Sequence, residues 1–184
     1  KAIHPKTPLE AIKSGIVLAP EDRKQHGLIL EMSVRENASL PRLRMDQKAG
    51  LIDFDAEIEV ATDMVKKMDI KTPGLEQVVQ YLSGGNQQKI VLGKWLAMKP
   101  RMLLLDEPTR GIDVGSKQEI YRLMEDLASS GVAILFVSSE MEEVLGIADR
   151  ALVMHDGAIT GELARDQLSE EAVMQLATGN KAAA

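Results

Sequence analysis

A stretch of small and acidic residues between Tyr81 and Asp113 holds the chemical possibilities of this chain. Ser83-Gly84-Gly85 runs straight into Asn86-Gln87-Gln88-Lys89-Ile90. Two glycines let backbone N–H groups come close to an anion, and a helix opening there points its positive end at the same place. Further on, Met102-Leu103-Leu104-Leu105 ends in Asp106-Glu107. A short apolar run bounded by turn signals reads as a buried strand. Carboxylates at the C-terminal end of such a strand face the crevice where open parallel sheets bind ligands. Each half alone is commonplace: Ser-Gly-Gly before a helix is usually a turn and an N-cap, and Asp-Glu after an apolar run is usually a strand leaving the core. Set on either side of one helix, they form two phosphate-related devices.

The surrounding elements must position them. Lys1 to Pro5 reads as the end of a strand, and Thr7-Pro8-Leu9-Glu10 as a capping box opening a helix to about Ser14. Ile16 to Ala19 is expected as a buried strand, followed by a charged surface turn at Asp22, Arg23 and Lys24. Ser33-Val34-Arg35-Glu36 is a second capping box, and Pro41 to Leu51 reads as an irregular, mobile insertion. Asp53 opens a helix with Ile58, Ala61, Val65 and Met68 on one face. The helix after Ser83 carries Ile90, Val91, Trp95 and Leu96 inward, with Trp95 a core residue. Asp113 caps a helix with Ile120, Leu123, Met124 and Leu127 inside. Val132 to Val137 is another buried strand, and a helix runs from Ser138-Ser139-Glu140 through Leu145. Arg150 to Thr160 reads as a hairpin turning at Asp156-Gly157, Ser169 caps the last helix, and the Ala-rich tail is frayed. The fold class is therefore α/β, with parallel strands from about Ile16, Met102 and Val132.

Composition narrows the function. A net charge of −6 argues against a nucleic-acid binder held by a broad basic face. With no cysteine there is no disulfide or zinc-thiolate chemistry. Aromatics are 3% of the chain, so aliphatics and Met must fill the core. His4, His26 and His155 have no metal-ligand spacing and read as surface or turn residues. No apolar run is long enough to span a bilayer, so any membrane role runs through a partner.

Leu82-Ser83-Gly84-Gly85-Asn86-Gln87-Gln88-Lys89 resembles the signature loop of ATP-binding cassette ATPases, and Leu103 to Thr109 resembles their Walker B strand. Gly111-Ile112-Asp113 resembles the D-loop, and Val34 to Asn37 the entry to the helical subdomain. With Pro20-Glu21-Asp22-Arg23-Lys24 and Val137-Ser138-Ser139-Glu140-Met141, the match is nearest to the second cassette of the double-cassette ATPases driving bacterial import of ribose, galactose, arabinose or xylose. The resemblance implies a partial P-loop (RecA-like) core with an inserted helical subdomain. Residues 1–22 would be partial core, 23–98 the helical subdomain, 99–162 core with Walker B, and 163–184 a C-terminal helix and tail. It implies ATP and Mg²⁺, with Asp106 holding the metal through water and Glu107 orienting or deprotonating the attacking water. Ser83, Gly84, Gly85 and Asn86 would contact ATP bound on a head-to-tail partner cassette, with Asp113 at that interface. Glu21 stands where a glutamine usually contacts metal and water, and the groove beside it would receive a short helix of a membrane permease. Localisation would be peripheral, on the cytoplasmic face of the inner membrane, with a periplasmic sugar-binding protein as an indirect partner.

Three departures from the pattern follow. No Gly-x-x-x-x-Gly-Lys-Ser/Thr occurs, so the chain is expected to be a truncated piece that binds ATP weakly or not at all and is inactive alone. Ser139 occupies the place of the switch histidine, and a serine cannot act as the imidazole contact to a phosphate. Asn86 replaces the usual Gln. The first two point to a slow or inactive site at Asp106 and Glu107, with the glycine turn still able to complete the other site. Two alternatives stand beside this reading: a non-enzymatic docking or dimerisation module, and a soluble cassette ATPase not tied to transport. An uncovered apolar sheet face is expected to make the isolated piece self-associate.

Overall fold

The computed structural model describes residues 3–48 and 50–179, which fall into two compact units, Lys1–Val137 and Ser138–Ala184. In the first unit the chain opens with helix α1 (Pro8–Lys13) and strand β1 (Ile16–Ala19). Residues 3–5 carry no strand, contrary to expectation, while Lys1 and Ala2 lie outside the described residues. Thr7 Oγ1 accepts from the Glu10 N–H at 3.2 Å, but the Glu10 carboxylate reaches the Lys6 N–H instead of closing the capping box.

After a single π turn (Arg23–Gly27) come α2 (Val34–Ser39), a small antiparallel pair β2 (Gln47–Lys48) and β3 (Leu51–Ile52), and α3 (Phe54–Lys67). Ser33 and Glu36 form the full reciprocal capping box. The stretch expected to be irregular holds this hairpin and a short 3₁₀ turn, tied down by a bidentate Arg42–Asp46 pair and by Arg42 Nη1 donating to the Ala97 carbonyl at 3.2 Å. The apolar face of α3 is rotated by about one residue from expectation. Glu57, Ala61, Met64 and Met68 are buried, and Ile58 is 48% exposed. Glu57 can enter the core because Arg35 and Ser39 of α2 bond its carboxylate.

Helix α4 (Gly84–Leu96) is nearly enclosed, with Gln87 through Lys94 buried. Gly93 lets α3 approach closely: a Cβ there would lie 2.8 Å from Met64 Sδ. Trp95 is only half-buried, and its Nε1 has no hydrogen-bond partner among the described residues. Strand β4 (Met102–Asp106), helix α5 (Val114–Ser129) and strand β5 (Ala133–Val137) complete the unit. The sheet is parallel in the order β1-β4-β5, with Val17 opposite Leu103 and Leu103 opposite Ile134.

Alternation of side chains divides this sheet into two faces. Val17, Ala19, Leu103 and Leu105 are buried on the side covered by α4 and α5. On the other side Leu18, Leu135 and Val137 are 50%, 44% and 54% exposed. The expectation that β1 and β5 are wholly buried fails because helices cover one face only, whereas the expected open apolar face is present.

The second unit holds α6 (Met141–Ile147), the antiparallel pair β6 (Arg150–His155) and β7 (Ala158–Ala164), and α7 (Glu170–Ala177). Asp156 and Gly157 both take positive φ, 46° and 77°, the conformation of a type I′ hairpin turn. Leu176 packs against Gly161, where a Cβ would lie 2.8 Å from Leu176 Cδ1. The expected frayed tail lies mainly at 180–184, outside the described residues.

Candidate functional site

The glycine turn opens α4 as expected, but its side chains are engaged locally. Ser83 Oγ caps the helix, accepting from the Asn86 N–H at 3.4 Å and from Asn86 Nδ2 at 2.9 Å. Asn86 Oδ1 accepts from the Lys71 N–H at 2.8 Å, fastening the preceding segment to the turn. The glycines also have a packing role. A Cβ on Gly85 would lie 2.5 Å from Ser116 Cβ, and one on Gly84 would lie 2.9 Å from Arg23 Nη2 and 3.3 Å from the Gly111 carbonyl oxygen. The first turn of α4 therefore meets the loop before α5 as closely as backbone allows.

Asp113 caps α5 through both carboxylate oxygens, accepting from the Ser116 N–H at 2.9 Å and from Ser116 Oγ at 2.7 Å. The Ser116 amide and hydroxyl hold the Asp113 carboxyl below the usual carboxylate range. Between the two helix starts lies an open cleft lined by Ser83, Gly85, Asn86, Asp113, Ser116 and Glu119. Glu119 in its lining pairs with the buried Lys89, Nζ to carboxylate at 2.9 Å, which lowers the Glu119 pKa.

Asp106 and Glu107 stand where expected, at the C-terminal end of the central strand. Asp106 pairs in register with Val137, and the Glu107 N–H donates to the Val137 carbonyl at 2.9 Å. Among the described residues the Asp106 carboxylate meets no hydrogen-bond donor or cation. Glu107 has φ 45°, a left-handed conformation that costs a non-glycine residue about 1–3 kcal/mol. Strain of that kind gathers at functional sites. Pro108 and Thr109 behind it are buried.

Glu21 forms an ion pair with Arg110 in the loop that follows. Arg23, read from sequence as part of a surface turn, is the residue that sequence reasoning missed. Its guanidinium donates to the Arg110 carbonyl at 2.9 Å, the Gly111 carbonyl at 3.1 Å and Gln87 Oε1 at 3.4 Å. Only the arginine two residues after the expected Glu21 hinted at it. Ser139 falls in the second unit, in the turn before α6, where Ser138 Oγ accepts from the Glu140 N–H at 3.0 Å and donates to Glu143 at 2.6 Å.

The sequence profile of the ABC transporter family matches residues 3–110. The chain belongs to the ABC transporter family. It is 49% identical over 181 residues to the xylose import ATP-binding protein XylG of Geobacillus kaustophilus, covering 98% of this chain and 36% of that protein. It is 51% identical over 176 residues to the ribose import ATP-binding protein RbsA 1 of Streptomyces coelicolor, covering 96% of this chain and 35% of that protein. This ABC family chain thus spans about a third of the length of the curated relatives it matches. Among solved structures it resembles a nucleotide-free ATP-binding cassette from an ABC transporter, with TM-score 0.75 and 22% identity over 94% of this chain and 68% of that one. It also resembles the ADP conformation of another such cassette, with TM-score 0.73 and 24% identity over 97% of this chain and 70% of that one. The fold of the ABC chain is that of these cassettes, an α/β P-loop NTPase architecture.

Proposed function

We propose that this chain forms part of an ATP-binding cassette that couples ATP hydrolysis to monosaccharide uptake through a membrane permease. The carrying observation is the pair of constellations in one compact unit: a Ser83-capped glycine turn opening α4, and Asp106-Glu107 ending β4 with Glu107 held in left-handed backbone. Identity near 50% to ribose and xylose import ATP-binding proteins supports the sugar-import branch.

Asp106 fits a magnesium site. A magnesium ion keeps most of its waters and takes one or two carboxylates beside substrate phosphates, and the Asp106 carboxylate has no partner of its own among the described residues. When bound, the metal supplies charge neutralisation on the phosphates. Glu107 orients the attacking water and accepts its proton. Ser83, the amides of Gly84 and Gly85, and Asn86 beside them face ATP held by the opposing cassette, with Asp113 at the same interface, so this turn serves the partner's site. Ser139, at the sequence position of the switch histidine, is proposed to contact nucleotide without supplying an imidazole. Glu21, already paired to Arg110, links the nucleotide side to the permease groove.

Among the described residues no helix is long and apolar enough to cross a membrane. We place the protein on the cytoplasmic face of the inner membrane, held there by permease subunits, with a periplasmic sugar-binding protein acting indirectly. The open apolar sheet face is the surface on which the isolated chain would self-associate.

The test is ATP turnover by the complete assembly carrying Glu107→Gln. Loss of about 100-fold in kcat with ATP binding retained supports the reading. Unchanged turnover both here and with Gly85 replaced by a bulky residue removes it in favour of a docking module.

A further inference from the structure

Three segments converge on one guanidinium. Arg23 follows β1, its fork reaches two successive carbonyls of the loop after β4, and its Nε points to Gln87 on α4 at 3.4 Å. Asp22 holds the backbone of the Arg23 turn by accepting from the Lys24 and Gln25 N–H groups at 2.9 and 3.0 Å. Gln87 is fixed in turn, its Nε2 donating to the Val79 carbonyl at 3.1 Å. A second bridge runs the opposite way, from the Arg110 side chain to Glu21. Gly84 leaves room for the guanidinium: a Cβ there would sit 2.9 Å from Arg23 Nη2.

We infer that Arg23 is a positioning residue, a latch that sets the loop 107–113 against the first turn of α4 and against segment 21–27. Two carbonyls and an amide oxygen need a planar fork with several fixed donors, which lysine lacks. Its two loop acceptors lie between the strained Glu107 and the Asp113 cap, so the latch holds the middle of the segment that joins them. The consequence for catalysis rests on the function proposed above, whereas the latch itself does not.

The experiment compares the full chain with Arg23→Met, which keeps the aliphatic stem, and Arg23→Lys, which keeps the charge. Two readouts are taken: amide hydrogen exchange across residues 109–113, and kcat and KM for ATP in the complete assembly. Exchange in that loop should accelerate about tenfold in Arg23→Met and less in Arg23→Lys, with α3 unchanged. Turnover should fall about tenfold in kcat with KM within about twofold. Unchanged loop exchange in both variants overturns the latch. Equal acceleration across the whole first unit also overturns it, since that is general destabilisation. Local acceleration in a protein whose wild type turns over no ATP upholds the latch and rejects the functional reading.

Discussion

Gly85 and Ser116 stand so close that a Cβ on the glycine would lie 2.5 Å from the serine Cβ. The second glycine of the turn is therefore required by the meeting of α4 with α5, whatever it does for a phosphate. Gly85→Ala should destabilise the fold by about 1–3 kcal/mol in urea unfolding, the usual cost of overpacking. Adding Ser116→Gly, which removes the obstructing atoms, should restore part of that loss despite the roughly 1 kcal/mol helix penalty of glycine. Simple additivity of the two changes would refute the steric account.

The left-handed backbone at Glu107 separates stability from chemistry. Glu107→Gly and Glu107→Ala both delete the carboxylate, but only glycine relieves the φ of 45°. Glycine should be more stable than alanine by about 1 kcal/mol in denaturant titration, the reverse of their order at an ordinary position. An alanine variant at least as stable would show that the backbone is unstrained.

Lys94 predicts a pH dependence. It is 6% exposed, donates to the Gly27 carbonyl, and burial pushes its pKa down from 10.5 to about 8. The folded state thus releases this proton before the unfolded state does. Between about pH 8 and 10.5 the unfolded chain binds more protons, and stability rises with pH; below 8 the penalty of the buried charge is present in full. The gain is at most about 3 kcal/mol. Comparing thermal unfolding with Lys94→Met from pH 7 to 10.5 isolates it, because only the native chain should gain stability through this group. Parallel curves for the two proteins would contradict the assignment.

Glu57 is a carboxylate in the seam between α2 and α3, bonded by Arg35 and by Ser39 Oγ at 2.6 Å. Glu57→Ala leaves Arg35 with Glu76 and Ser39 with the Glu36 carbonyl, but removes two charge-assisted bonds and opens a gap in the seam, and should cost about 2–3 kcal/mol. Replacing the pair together, Arg35→Met with Glu57→Met, should cost markedly less, since the seam is refilled with apolar side chains and its buried ion pair is gone. Equal losses would mean that the pair stabilises the seam beyond what packing can replace.

Local signals were legible in the sequence because their physics is local. Thr7, Ser33, Asp53, Ser83, Asp113 and Ser169 all accept a backbone N–H at the helix start that they were expected to cap. The parallel strands and the carboxylates at the end of β4 were readable for the same reason, as an apolar run with an acidic stop. What escaped depends on partners distant in sequence. Arg23 looks like any charged turn until the loop at 110–111 folds against it, and Glu57 looks solvated until Arg35 and Ser39 arrive. Which strands would carry the open face was not legible, because apolar composition does not report whether a helix covers a strand.

The central claim is that the turn at 83–86 meets ATP held by an opposing cassette. Its most direct test is photolabelling of the complete assembly with ATP bearing a photoreactive γ-phosphate, followed by mapping of the labelled peptide. The account predicts label on the peptide containing Ser83 to Asn86, lost when the cassettes are kept apart. Saturating ATP that supports turnover yet leaves that peptide unlabelled would contradict it.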